Sequence, residues 1–285
     1  MEIINGRLIA DNILMKCKQI IDEANVKPTL AIVMIGNNPS SQIYVKKKKE
    51  AGEKIGVNVE VLWREKANQQ EILAIINELN TSTRINGIIV QLPLPQMDSF
   101  EICKAISIEK DVDGLHPYNF GSLWLNKSNT FIPATVKAID YALKYVAKEM
   151  KVEFSTFIEG KKVLIINRSS IIGKPLAGLM LGYNATVTIA HSKTKNLDEL
   201  IKNNEIIVSG TGMINFISHQ EFKENTILLD VGFNKTDQKI YGDINNKIID
   251  SNISWLSPVP GGIGPIGVAC LIENVVEATI KAKLL

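Results

Sequence analysis

The sequence predicts an α/β fold in two domains, and three observations carry that prediction. At 285 residues the chain has length for roughly two domains of about 150 residues each. Short apolar runs alternate with stretches whose apolar residues recur at helical spacing, in two series separated by a Gly-, Asn- and Pro-rich segment from Asp111 to Asn129. Most of the runs are continuously apolar, the pattern of parallel strands covered on both faces.

The first series opens with Ile13, Leu14, Cys17, Ile20 and Ile21 at helical spacing within residues 10–24, followed by the strand Leu30 to Ile35. Gly36-Asn37-Asn38-Pro39-Ser40-Ser41 then punctuates, and Ser40 or Ser41 can cap a helix reaching about Ile55. Val57 to Trp63 reads as strand, Gln69 to Leu79 as helix, and Gly87 to Gln91 as a strand stopped by Pro93 and Pro95. The second series starts near Thr135 with a helix to about Met150. Strands at Lys162–Ile166, Thr186–Ala190, Glu205–Ser209 and Thr226–Val231 enclose helices at Gly173–Leu181 and Leu197–Lys202. A final helix follows the Pro/Gly-rich segment Ser257 to Pro265, with Val268, Leu271, Ile272, Val275, Val276 and Thr279 on one broad face.

Composition narrows the function classes. Apolar residues at 45% and charged residues at 22% exclude wholesale disorder. A balance of 32 basic to 30 acidic residues is too even for a general nucleic-acid or anionic-membrane binder. No run of about 18 apolar residues predicts a bilayer-crossing helix, and Met1-Glu2-Ile3-Ile4-Asn5 lacks a secretory pattern. Cys17, Cys103 and Cys270 lie far apart with no CxxC pair, so neither a disulfide framework nor a zinc ribbon is expected. A reducing, cytoplasmic location is the expectation.

Five segments carry candidate chemistry. In the run Lys46 to Lys49, Tyr44, Lys48, Ala51 and Ile55 fall on one helical stripe, while Lys46, Lys47 and Lys49 point elsewhere. A desolvated lysine there could exchange protons near neutral pH; the bland reading is a solvated face. Gln91 ends an apolar strand at the edge where open α/β sheets bind ligands, though it reads equally as a surface residue before a proline turn. Asp111-Val112-Asp113-Gly114 places two carboxylates in a turn, and Ser122 at the twelfth position argues against a calcium loop. No second His or Cys lies at ligand spacing from His116, so no metal is expected.

Lys162 to Pro175 has the strand, polar turn and helix order of a phosphate site, with only Gly173 of the usual glycine pattern in place. The next strand ends in Ala190-His191-Ser192-Lys193, without the acid that NAD sites use, and Arg168 sits in the first turn. Arginine is scarce, occurring only at Arg7, Arg64, Arg84 and Arg168, so NADP is expected over NAD. Ser257 to Pro265 is either a stiff connection or a backbone wall admitting a flat ligand.

Together these segments resemble the bifunctional methylenetetrahydrofolate dehydrogenase/cyclohydrolase enzymes of one-carbon metabolism. The resemblance runs in order over nearly the whole chain. Its specific set is Pro39-Ser40-Ser41-Gln42-Ile43-Tyr44-Val45 with Lys48, Val90-Gln91-Leu92-Pro93-Leu94-Pro95, Lys110-Asp111-Val112-Asp113-Gly114 and Pro258-Val259-Pro260-Gly261-Gly262. It implies an N-terminal α/β catalytic domain (1–120 and 267–285), a Rossmann-like NADP-binding domain (121–266), a C-terminal helix returning to the first domain, and a homodimer formed through the cofactor domains. By motif, Lys48 corresponds to the catalytic lysine, Gln91 to its hydrogen-bonding partner, Tyr44 to the residue packing along folate, and Asp113 to the pterin anchor. Arg168, Ser169, Gly173, Ser192 and Thr211 correspond to cofactor contacts, with Arg168 and Ser192 nearest the 2′-phosphate. Pro260 and Gly261 join the substrate contacts.

Three departures bear on the cofactor side. Pro133-Ala134-Thr135-Val136 replaces Pro-Cys-Thr-Pro, Asn167 replaces a small residue that is commonly glycine, and Ile266-Gly267 replaces Met-Thr. The rival readings are a shikimate-type dehydrogenase, a monofunctional dehydrogenase of the same family, and a non-catalytic NADP- or folate-binding regulator.

Overall fold

The computed structural model describes residues 1–127, 130–236, 239–248 and 250–284. In chain order its elements run β1 (Glu2–Ile3), α1 (Gly6–Ala24), β2 (Thr29–Ile35), α2 (Pro39–Lys54), β3 (Asn58–Arg64), α3 (Gln69–Thr81), β4 (Gly87–Val90), α4 (Ser99–Lys104) and α5 (Pro117–Trp124). They continue with α6 (Ala134–Glu149), α7 (Phe154–Ile158), β5 (Lys162–Ile166), α8 (Gly173–Gly182), β6 (Thr186–Ala190), α9 (Leu197–Asn203), β7 (Ile206–Ser209) and β8 (Thr226–Asp230). A two-residue pair, β9 (Asn234–Lys235) and β10 (Ile240–Tyr241), precedes β11 (Ile253–Ser257) and α10 (Ile263–Leu284).

The chain forms two compact units that do not follow chain order. One contains Ala10–Ser122, Asn129–Ala134 and Val268–Leu285; the other contains Met1–Ile9, Leu123–Ser128 and Thr135–Gly267. In the first unit, β3, β2 and β4 form a parallel sheet with β2 central and wholly buried. Ile72, Ile76 and Leu79 of α3 and Ile102 of α4 pack with Ala31, Val33, Ile88 and Val90. Side-chain alternation then directs Ile89 and Gln91 to the opposite face. Asn38 caps α2, its side-chain oxygen accepting from Ser40 and Ser41 N–H with Pro39 at the first helical position. The cap is therefore not Ser40 or Ser41, because an asparagine one residue before the proline meets the free amides first. Asn68 and Glu71 form a capping box on α3.

The segment Asp111 to Asn129, expected to be loop, contains α5. Pro117 at its start has no N–H to leave unpaired, and the Asp111 carboxylate holds the two preceding residues through Leu115 and His116 N–H. α10 is the one described helix long and apolar enough to cross a bilayer, with a mean hydropathy of 1.5 over its window, but 67% of that window is buried within the protein. Cys270, Leu271, Ile272, Val275 and Val276 are core residues, and from Val268 onward α10 belongs to the first unit.

In the second unit six parallel strands lie in the order β1-β11-β8-β7-β5-β6. Ile166 at the end of β5 pairs with Ala190 of β6 on one side and Ser209 of β7 on the other, so three carboxyl ends finish level. The chain steps from β5 to β6, then returns past β5 to β7. That reversal opens a crevice at the β5/β7 boundary, where doubly wound sheets take ligands.

Candidate active site

The first unit gathers Lys48, Gln91 and Asp113. Tyr44 and Lys48 are half-buried on α2, whereas Lys46, Lys47 and Lys49 are exposed. Lys46 and Lys49 lie 3.8 and 3.7 Å from Glu50 and Glu53, pairs of the kind that solvated helix faces carry. The Lys48 ammonium donates to Gln91 Oε1 at 3.0 Å. Gln91 Nε2 in turn donates to the Leu92 carbonyl at 2.9 Å, which turns the amide oxygen toward the lysine. A cis Leu92–Pro93 bond follows.

Burial pushes Lys48 below the usual lysine range, with Asp113 opposing it. Burial likewise raises Asp113, with Lys48 opposing it. Each group is moved toward its neutral form by desolvation and held toward its charged form by the other. Burial pushes Tyr44 up to about 12, so its hydroxyl keeps its proton at neutral pH. The Cys103 thiol, also raised to about 12 by burial and then by Asp113 and Asp111, is no nucleophile.

The acidic turn divides its labour. Asp111 is fully buried and accepts from Leu115 N–H at 3.1 Å, His116 N–H at 2.8 Å and Asn119 Nδ2 at 2.8 Å. No hydrogen bond to Asp113 comes from the described residues. Gly114 has φ +65°, and a Cβ there would stand 2.5 Å from the Phe131 carbonyl oxygen. Asn274 on α10 clamps the turn by donating to the Val112 and Ile132 carbonyls at 2.8 and 3.0 Å.

Lys110 donates to the carbonyls of Leu79, Asn80 and Ser82 at 3.0, 2.7 and 2.7 Å, closing the end of α3. Lys110→Met is expected to cost about 2 kcal/mol in urea unfolding by removing those charged donors. The Lys48–Gln91 geometry should survive it.

The second unit holds the other candidates. The Asn167 side-chain oxygen accepts from Ser169 N–H at 2.8 Å, Ser169 Oγ at 2.7 Å and Gly173 N–H at 3.0 Å. Its Nδ2 donates to the Gly210 carbonyl at 2.6 Å. Gly173 admits no side chain, since a Cβ would meet the Asn167 carbonyl oxygen at 2.0 Å. Arg168 and Ser192 each stand two residues beyond the paired rung Ile166–Ala190, on adjacent strand ends, and both are exposed.

Thr211 is held by Asp243, whose buried carboxylate accepts from Thr211 N–H, from Thr211 Oγ1 at 2.8 Å, from Ser209 Oγ at 3.0 Å and from Gly212 N–H at 3.1 Å. Asp230 supports that segment by accepting from Asp243 and Ile244 N–H at 3.1 and 2.7 Å; burial raises its carboxyl to about 6. Pro260 and Gly261 lie in this unit, in a loop pinned by Asn246 to the Val259 carbonyl at 2.6 Å and by Gly6 N–H to the Gly261 carbonyl at 2.9 Å.

The structure thus joins Lys48 with Gln91 and Asp113 in one unit, and links Ser169, Gly173 and the Thr211 loop in the other. The supporting residues Asp243, Asp230, Asn246 and Asn274 were absent from the sequence reading. Their partners are as much as 162 positions away, and no local pattern marks them.

The fold and these clusters define a class: a two-unit α/β enzyme with a dinucleotide-type second unit. Residues 4–113 match the family model described as tetrahydrofolate dehydrogenase/cyclohydrolase, catalytic domain, and residues 134–283 match its NAD(P)-binding domain. The chain is 41% identical over 278 residues to bifunctional protein FolD of Lactobacillus helveticus, covering 96% of this chain and 94% of that protein. A bifunctional 5,10-methylenetetrahydrofolate dehydrogenase/cyclohydrolase from Thermoplasma acidophilum superposes at TM-score 0.90 with 32% identity, covering all of both chains. A Trypanosoma brucei enzyme of the same description, complexed with NADP cofactor and inhibitor, matches at TM-score 0.90 with 27% identity over 99% and 98% of the two chains. The chain belongs to the tetrahydrofolate dehydrogenase/cyclohydrolase family.

Proposed function

We propose that this protein oxidises 5,10-methylenetetrahydrofolate to the methenyl form with NADP⁺ and hydrolyses that form to 10-formyltetrahydrofolate, with Lys48 as the proton-transfer group of hydrolysis. The observation that carries the assignment is Lys48 itself: half-buried, lowered by desolvation and hydrogen-bonded to an amide oxygen at 3.0 Å. A neutral amine there can take a proton from the water adding to the cationic methenyl carbon and return one to N5 as the C–N5 bond opens. Gln91 orients the amine without adding charge. Asp113, with no donor from the described chain, supplies the acceptor for the pterin's amino and ring N–H groups. Tyr44 packs along the folate, and Pro260 and Gly261 contribute backbone.

Bound NADP⁺ would supply the hydride acceptor, and what the chain must contribute to that oxidation is positioning rather than a strong base. The second unit fits a dinucleotide phosphate: Gly173 excludes a side chain, and the Arg168 guanidinium has no acidic partner among the described residues. Arg168 and Ser192 would receive the 2′-phosphate, and Ser169, Gly173 and Thr211 would hold the rest of the cofactor. The protein acts as a cytoplasmic homodimer joined through its second units, with neither nucleic acid nor membrane as partner. An exposed Ile189 on the edge strand β6 supports that mode of association.

The test is turnover of 5,10-methylenetetrahydrofolate by purified protein with NADP⁺ or NAD⁺, with methenyl product measured after an acid quench. NADP⁺-dependent turnover leaving little methenyl form is the expected result. Accumulated methenyl form would make the protein a monofunctional dehydrogenase, and no turnover with either cofactor would leave a binding protein.

A further inference from the structure

We propose that Asp230 and Asp243 act as one positioning pair for the cofactor, fastening the loops after β7 and β8 so that NADP⁺ is held tightly only while Asp230 is unprotonated. The inference rests on the cofactor reading given above. Asp230 ends β8, and residues 242–244 lie against the ends of both strands. Asp230 Oδ1 accepts from Gly232 and Asp243 N–H at 2.8 and 3.1 Å, and Oδ2 accepts from Ile244 N–H at 2.7 Å. Asp243 reaches the opposite way. Its Oδ2 takes Ser209 Oγ, Thr211 N–H and Thr211 Oγ1, and its Oδ1 takes Gly212 N–H at 3.1 Å and Asn234 Nδ2 at 3.4 Å. Glycine stands at 232 and 242, where a Cβ would overlap a carboxylate oxygen of the pair.

Every bond in this set is donated to a carboxylate. A proton on Asp230 would put a hydroxyl among three N–H donors, and one of those bonds must open. Losing Gly232 loosens the loop after β8; losing residues 243 and 244 shifts Asp243, and Thr211 and Gly212 with it. Burial pushes the Asp230 carboxyl up to about 6 against the three N–H donors, and the charge of Asp243 adds to the rise. Among the described residues the charged group facing Asp230 is Asp243. The neighbouring strands bring Ser209 and Ser257, whose Oγ accepts Asp230 N–H at 2.7 Å. The loop of Pro260 and Gly261 keeps its own ties to Asn246 and Gly6, and Lys48 lies in the first unit. Methenyl hydrolysis should therefore not depend on the pair.

The test is equilibrium titration of NADP⁺ into wild type, Asp230→Asn and Ser209→Ala across about pH 5–8. The wild-type Kd should rise by up to about tenfold per pH unit below about pH 6, the limit for one linked proton. Asparagine at 230 sets an NH₂ against the same donors at every pH, so its binding should be weak throughout and show no such step. Ser209→Ala removes a hydrogen bond from charged Asp243, favours proton uptake by the pair and should move the step to higher pH. The 2′-phosphate titrates in the same range but equally for all three proteins, so the differences between them carry the result. In amide spectra of the unliganded protein, Thr211, Gly232 and Ile244 should move together through one midpoint. Hydrolysis without cofactor should stay near wild type.

Tight NADP⁺ binding by Asp230→Asn at neutral pH would overturn the proposal. So would a step that Ser209→Ala leaves in place, amides that titrate apart, or hydrolysis that falls with cofactor affinity, because each makes the pair merely structural. Should Asp230→Asn fail to fold, Ser209→Ala and the amide midpoints decide. Wild-type protein that binds no dinucleotide at any pH would instead defeat the functional reading, and a shared amide step would still uphold the coupling of the two loops.

Discussion

Lys48→Met is expected to lower methenyl hydrolysis by 10²–10⁴-fold while leaving hydride transfer within about tenfold of wild type. Methionine keeps the length and apolar contacts of the stem but cannot carry a proton, and hydrolysis is the step that must move one. Oxidation of the methylene bridge is driven by the nitrogen lone pair, so it loses only what Lys48 contributes to positioning. The methenyl form should accumulate during turnover and be read directly in the absorbance trace. Equal, complete loss of both activities in a folded variant would refute this division.

The same amine sets a pH dependence. With Lys48 lowered by burial, the base-dependent limb of hydrolysis should rise through that lowered pKa. Gln91→Glu would put a carboxylate against the ammonium, favour its charged form and move that limb to higher pH by one unit or more.

Asp113→Asn is expected to lower kcat/KM of both reactions by roughly 10–100-fold, chiefly through folate binding. The amide turns one acceptor into a donor aimed at donors on the pterin. The fold should be unaffected, because Asp111 rather than Asp113 holds the turn. Asp111→Asn gives the contrast: it disturbs the bonds to Leu115, His116 and Asn119, and should lower Tm along with activity. An Asp113→Asn variant with unchanged folate KM would remove this residue from the substrate site.

The central strands were legible because β2, β4, β5, β7 and β8 are almost wholly buried and therefore carry runs of three or more consecutive apolar residues. β1 and the β9–β10 pair are too short for any periodicity, and β11 interrupts its apolar residues with Ser254. α5 was hidden by its Gly and Asn content, since its start is set by a carboxylate upstream. Among the catalytic candidates, the helical register separated Lys48 from its neighbours, and the strand end marked Gln91. Register could not show that the two touch, nor that Asp111 is spent on its own turn while no described residue donates a hydrogen bond to Asp113. Those are facts of three-dimensional proximity. The Asn167 departure is visible as a residue type, and three of its bonds are local, but the fourth, to Gly210, depends on β5 and β7 lying side by side.

The clamp from Asn274 to Val112 also orders events during synthesis. These residues are 162 positions apart, so at about 5–20 residues per second α10 emerges roughly 8–32 s after the acidic turn. Throughout that interval Lys48, Gln91 and Asp113 have all left the ribosome, yet the turn carrying Asp113 lacks its clamp. The second unit waits in the same way, since β1 finds its parallel partner only when β11 appears. A chain stalled before Asn274 would carry Lys48, Gln91 and Asp113 and still present the turn unfastened, with Gly87 of β4 lacking its Val275 neighbour.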